Sequence, residues 1–161
     1  MSVKPYNNLD GSKKEQVTEM FNRIAPRYDL LNRLLSFGID RIWRRRVIGL
    51  LSDLKMPYLL DVATGTADLA IEEASKLKTT LIYAVDISSE MLEIGRQKIV
   101  KRGLQHTVFL KEGDSEALPF DKNTFDAITV AFGVRNFGNL GNGLAEMARV
   151  LRPGGRLVVL E

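Results

Sequence analysis

A chain of 161 residues, 45% apolar and 27% charged, has room for one globular domain with a substantial core. It holds no cysteine and one histidine, which excludes disulfides and thiolate metal sites and argues against a histidine-based metal centre. A net charge of +3 is too small to point to nucleic acid, and no apolar run approaches the ~20 residues needed to span a bilayer.

The chain opens MSVKPYNNLDGSKKEQ, without the apolar centre of a signal peptide, so a cytoplasmic location is expected. Ser12 and Glu15 have the spacing of a capping box, and Val17, Met20, Phe21 and Ile24 follow at helical intervals. Pro26 is expected to end that helix. Leu30, Leu31, Leu34, Leu35 and Phe37 form a second apolar cluster. Asp40 is placed to cap a third helix, with Ile42, Trp43, Val47, Leu50, Leu51 and Leu54 as its buried stripe. Residues 1–56 therefore read as a helical cover, within a single domain of residues 1–161.

From residue 57 the pattern changes to a core of alternating strands and helices. Strands are expected at Tyr58–Val62, Thr80–Asp86, Thr107–Lys111, Phe125–Val130 and Arg156–Leu160. Helices are expected near Asp68–Leu77, Ser89–Arg102 and Leu140–Leu151, with Gly103 ending the second. The continuous apolar run Leu157–Leu160 suggests burial on both faces. Such alternation predicts an α/β fold, a parallel sheet flanked by helices, which binds ligands outside the carboxyl ends of its strands.

The turn after the first strand, Asp61-Val62-Ala63-Thr64-Gly65-Thr66-Ala67-Asp68, carries the first motif. Gly65 permits close approach of backbone to a ligand, and the helix that follows offers unpaired amides at its start. A dinucleotide loop would show three glycines as G-x-G-x-x-G; here there is one, flanked by two carboxylates. Negative charge there opposes a pyrophosphate and favours a phosphate-free cation, which selects S-adenosylmethionine (SAM) over a nicotinamide dinucleotide. Asp61, Gly65 and Thr66 are thus candidate cofactor contacts. Asp86 ends the second strand about 20 positions on, where an acidic residue accepts the ribose hydroxyls. After the third strand, Asp114 is placed to accept from an adenine amino group, and the Ser115 amide to face a ring nitrogen. Each carboxylate alone also reads as a cap, a strand end or a turn residue. Their recurrence at successive strand ends points to a ligand.

FNRIAPRYD (21–29), LSFG (35–38), WR (43–44), LLDVATGTADLA (59–70), Asp86, LPFDKNTFD (118–126), AFGVRN (131–136) and EMARVLRPGGRLVVLE (146–161) together resemble the menaquinone/ubiquinone biosynthesis C-methyltransferase family. That family belongs to the class I SAM-dependent methyltransferases. The glycine loop and LRPGG are widespread among methyltransferases, whereas FGVRN with RYDLLN and SFG is far more specific. The resemblance implies a Rossmann-like fold, SAM as cofactor, no metal, and C-methylation of a prenylated quinol ring. Demethylmenaquinol is the first acceptor to expect and 2-methoxy-6-polyprenyl-1,4-benzoquinol the second. It further implies that Arg135 stabilises the ring oxygen as it becomes anionic, with Asn136 hydrogen-bonding beside it; a structural ion pair with a nearby carboxylate is the alternative for Arg135. Asp29 would assist proton removal and Tyr28 would contact the methionine moiety or the substrate; packing and capping are the alternative for both.

Two departures stand out. Ala67 lies where many relatives have glycine. Relatives also continue past the fifth strand, so C-terminal strands are expected to be missing and the fifth strand to present an unpaired edge. The second apolar cluster, beside Arg41, Arg44, Arg45 and Arg46, reads either as an apolar entrance with a basic rim for a membrane face or as helix core with a solvated basic side. His106 reads as a surface residue at the far end of the sheet. Three other functions remain open: a SAM-dependent enzyme for another small molecule, a nicotinamide-dependent dehydrogenase, and a unit that binds SAM without turnover.

Overall fold

The computed structural model describes residues 12–36, 39–78 and 81–161. The first helix, α1 (Lys13–Leu35), starts as its sequence dictates: the Ser12 hydroxyl accepts from the Glu15 amide and the Glu15 carboxylate accepts from the Ser12 amide. Pro26, expected to end this helix, lies inside it. The proline removes one hydrogen bond, to the Asn22 carbonyl, in an exposed turn. Packing outweighs that loss: Ala25 is buried just before it, and Asp29 just after it pairs with Lys98 of α4 (Ser89–Lys101).

The second helix, α2 (Ile39–Gly49), also departs from expectation. Asp40 lies within its first turn, where it accepts from the Ser36 hydroxyl and pairs with Arg44 at 2.8 Å, so it does not cap the helix. Val47, Ile48 and Leu51 are buried, but Ile42 is 53% exposed and Leu50 is exposed too. The apolar stripe is therefore shorter than its periodicity suggested, because only the carboxyl-terminal half of α2 meets the core.

Five parallel strands follow: β1 (Tyr58–Val62), β2 (Leu81–Asp86), β3 (Val108–Glu112), β4 (Phe125–Ala131) and β5 (Leu151–Leu160). They pair in the order β3-β2-β1-β4-β5. Helices α3 (Asp68–Lys76), α4 and α5 (Leu140–Val150) connect them. Each lies within one or two residues of its expected span; Thr80, Phe37 and Gly38 lie outside the described residues. Alternate side chains of β1 feed two cores. Leu59 packs with Leu51, Ile82 and Ile71 on one face, and Leu60 with Phe125, Ile128 and Met147 on the other. Each such fully buried aliphatic side chain contributes about 1.5–3 kcal/mol.

β5 is longer than expected, because LRPGG joins it through a register shift opposite Phe125 and Ala127. It is an edge strand, and Val159 is 46% exposed. The expectation that Leu157–Leu160 is buried on both faces fails for that reason. Gly103, at φ 67°, follows α4 and ends it as expected.

Candidate functional site

The strand order reverses between β1 and β4, and the carboxyl ends of β1 to β4 open on one cleft. Ala63 and Gly65 line it after β1, Asp86 and Ile87 after β2, and Gly113 to Glu116 after β3. Phe132, Gly133, Asn136 and Phe137 line it after β4. α1 closes it with Lys14, Val17, Phe21 and Tyr28.

Asp86 anchors the centre. One carboxylate oxygen accepts from the Gly65 amide at 2.8 Å and the other from the Ser88 amide at 2.9 Å. Burial pushes this carboxyl up from its ordinary value, against the pull of those amides. Each oxygen keeps a second acceptor direction, which suits a pair of hydroxyl donors in the cleft. Asp114 accepts from the Glu116 amide with one oxygen and pairs with Lys14 through the other. Val85, Ile87, Met91 and Phe137 give the cleft apolar walls of the kind a planar base requires. Among the described residues, three carboxylates, Asp86, Asp114 and Glu116, line the cleft against one cation, Lys14. That balance fits a phosphate-free, positively charged nucleoside.

The loops are held close and partly strained. Ala63, Gly65 and Ala67 all have φ between 54° and 64°, a region that costs a non-glycine residue about 1–2 kcal/mol. Ala67 is fully buried in this conformation. Gly133 has a different constraint: a Cβ there would stand 2.5 Å from the Ala63 Cβ, so the loops after β1 and β4 touch only because this residue is glycine.

Several expected site residues stand elsewhere. Asp61 is buried beneath the loop, accepts from the Thr64 hydroxyl at 2.6 Å and the Thr129 hydroxyl at 3.3 Å, and does not line the cleft. Burial pushes its carboxyl up to about 7. Asp68 is bound to Lys98 at 2.5 Å and lies 3.8 Å from Arg44, so its charge is spent on neighbouring helices. Thr66 is buried and turned away from the cleft, and its hydroxyl donates to Asp29 at 2.6 Å. Asp29 in turn pairs with Lys98 at 2.8 Å. Asp29 therefore stands outside the cleft lining, with each oxygen holding one partner. Tyr28, Gly65, Asp86, Asp114, Ser115 and Asn136 do line the cleft. Arg135 stands outside it, 64% exposed, 3.7 Å from Glu161 and with its guanidinium 5.9 Å from the centre of the Phe132 ring. His106 is exposed and precedes β3, at the opposite end of the sheet.

The model of the ubiE/COQ5 methyltransferase family matches residues 9–161. The chain belongs to this family. A demethylmenaquinone methyltransferase of Bacteroides fragilis is 50% identical to it over 159 residues, covering 99% of this chain and 64% of that protein. A ubiquinone/menaquinone biosynthesis C-methyltransferase of Geotalea daltonii is 47% identical over 150 residues, covering 92% and 64%. The chain thus spans about 64% of the length of these relatives. Among solved structures, the cyclase SpnF superposes with a TM-score of 0.78 at 25% identity, over 91% of this chain and 59% of that one. The fold of this ubiE/COQ5 family member is the Rossmann-like fold of class I SAM methyltransferases. A cyclase on the same fold shows that the fold alone does not name the reaction.

Three residues of this family member carry parts that sequence reading did not single out. Asn22 accepts from the Ser88 hydroxyl at 2.6 Å, tying α1 to the loop after β2. Lys98 binds Thr66, Asp29 and Asp68 together. Glu73 on α3 is fully buried beside Thr129 and Asp61, and its carboxyl makes no hydrogen bond of good geometry among the described residues. Asn22 lies within FNRIAPRYD without a role read for it, Lys98 and Glu73 lie in no motif, and only the spacing of Glu73 from the buried Leu69 and Ala70 hints that it faces the core.

Proposed function

We propose that this chain is the SAM-binding part of a C-methyltransferase that acts on a prenylated quinol ring. The observation that carries this reading is the cleft itself: carboxylates at the ends of β2 and β3, apolar walls, and no glycine-rich phosphate cradle. When bound, SAM supplies an electrophilic methyl group on a cationic sulfur. Asp86 would hold the ribose hydroxyls, and Asp114 with the Ser115 amide the adenine edge. Tyr28 and Phe21 cover the cleft from α1 and exclude water. Asn136 faces the cleft, and Arg135, exposed beside the cleft-lining Phe132, would have to turn from Glu161 toward the cleft to serve a ring oxygen that becomes anionic. Demethylmenaquinol is the acceptor favoured, from the likeness to the Bacteroides fragilis enzyme.

Calorimetry is expected to show SAM binding and no NAD binding. Transfer of labelled methyl to demethylmenaquinol then tests turnover. In an active preparation, Arg135→Ala is expected to lower turnover ~100-fold while leaving SAM affinity unchanged. Equal losses in both would refute the role given to Arg135. SAM binding without transfer would make the chain a binding unit, and no SAM binding would sink the reading.

The corner where α1 gives way to α2 extends it. Leu30, Leu31, Leu34 and Ile39 are exposed there, Leu35 is 79% exposed, and Arg41, Arg45 and Arg46 are exposed beside them. Trp43 packs on Phe132, with ring centres 5.6 Å apart, so the apolar corner runs to the cleft wall. No helix among the described residues is long and apolar enough to cross a membrane. We read the corner as the side that meets an anionic lipid surface, where a tailed substrate arrives. Sedimentation with phosphatidylglycerol vesicles at low salt, reversed by added salt, is the expected result; equal binding to neutral vesicles would remove the role of the arginines.

A further inference from the structure

We propose that Asp29 and Lys98 are positioning residues that set the loop after β1 by gripping Thr66. The Thr66 hydroxyl donates to one oxygen of Asp29 at 2.6 Å and accepts from the Lys98 ammonium at 2.9 Å. Lys98 closes the ring on the other oxygen of Asp29 at 2.8 Å and extends to Asp68 at 2.5 Å. One threonine is therefore held at once by α1, by α4 and, through Lys98, by the first residue of α3. The loop needs such a grip, because left-handed residues stand on both sides of Thr66, at Gly65 and Ala67. A backbone of that kind persists only where its surroundings over-determine it.

The grip reaches the cleft by two routes. Gly65, next to Thr66, lines the cleft and gives its amide to Asp86. Tyr28, next to Asp29, lies across the same cleft from α1, with its ring 3.8 Å from where a Gly65 side chain would start. Fixing Thr66 to Asp29 therefore sets the loop and the covering tyrosine against each other. Lys98 is the cation that joins the Thr66 hydroxyl to the carboxylates of Asp29 and Asp68; without it the hydroxyl keeps only its bond to Asp29. Neither side chain touches the cleft, so both act through the loop.

The ligand half of this inference rests on the SAM reading, so the test has two readouts. In ligand-free protein, Thr66→Val and Lys98→Met are expected to speed amide exchange at Thr64, Gly65 and Ala67 by ~10-fold, with β1 and β4 amides unchanged. In calorimetry the same variants are expected to bind SAM ~10-fold more weakly, and Lys98→Arg, which keeps the charge, to bind nearly as the parent does. Unchanged exchange in the loop overturns the proposal. So does equal acceleration in loop and strands, which would mean only a general loss of stability. SAM affinity unchanged in variants of a protein that binds SAM overturns the ligand half. If the parent itself does not bind SAM, the functional reading falls, and the exchange rates still decide whether Thr66 is gripped as proposed.

Discussion

Asp86→Ala is expected to weaken SAM binding at least ~100-fold, about 3 kcal/mol. The carboxylate serves two sets of donors at once. Inside the protein it holds the Gly65 and Ser88 amides, and on the cleft side its remaining acceptor directions are offered to the ligand. Alanine removes both. The two amides are left without their acceptor in a largely enclosed place, which costs about 1–3 kcal/mol per group in stability. Ser88 also caps α4 by accepting from the Met91 amide, so the start of that helix loosens as well. Asp86→Asn keeps the volume and one acceptor oxygen, and should lie between alanine and the parent. Isothermal titration with SAM, beside thermal unfolding, separates the two effects. A SAM affinity within about threefold of the parent would remove Asp86 from the binding role.

Glu73→Met is expected to stabilise the protein by about 1–3 kcal/mol at neutral pH, raising Tm by several degrees. The carboxyl is fully buried and makes no hydrogen bond of good geometry among the described residues, with the Thr129 hydroxyl beside it already given to Asp61. Burial, and then the charge of Asp61, push it well above its ordinary value of 4.5. At acid pH the group is protonated whether the chain is folded or not, and costs little beyond its unmet hydrogen bonds. As pH rises past 4.5 the unfolded chain releases the proton while the folded one keeps it. The folded state then binds more protons, so stability falls with rising pH. Methionine fills the same space, favours helix and has no charge to bury. The gain should therefore be larger at about pH 8 than at about pH 5. A variant less stable than the parent at both would show that Glu73 has a partner that stabilises it.

Much of this molecule was legible beforehand because periodicity and turn chemistry are local. The capping box at Ser12, the five strands and the glycine after α4 follow from neighbours in sequence, and the structure places them within a residue or two except at β5. The misreadings share one cause. At Pro26, along the stripe on α2 and on the outer face of β5, local preference points one way and what packs beside the residue decides the other. The candidate site shows the same division. Asp86 and Asp114 sit where strand ends put them. Asp61, Asp68, Thr66 and Asp29 belong to the same motifs but point elsewhere, because side-chain direction depends on partners contributed by α1, α3 and α4.

The sequence by itself determined the order of strands and helices, the single glycine with carboxylates around it, and the FGVRN segment that places the chain in its family. Those are properties of residues a few positions apart. Only the tertiary structure decided which carboxylates reach the cleft, that Lys98 joins three helices at one threonine, and that Glu73 is fully buried beside Asp61. Each of these depends on distances between groups well separated in the chain, such as Gly65 with Asp86, 21 positions on, or Asp29 with Lys98, 69 positions on. Such distances are fixed by how the layers pack.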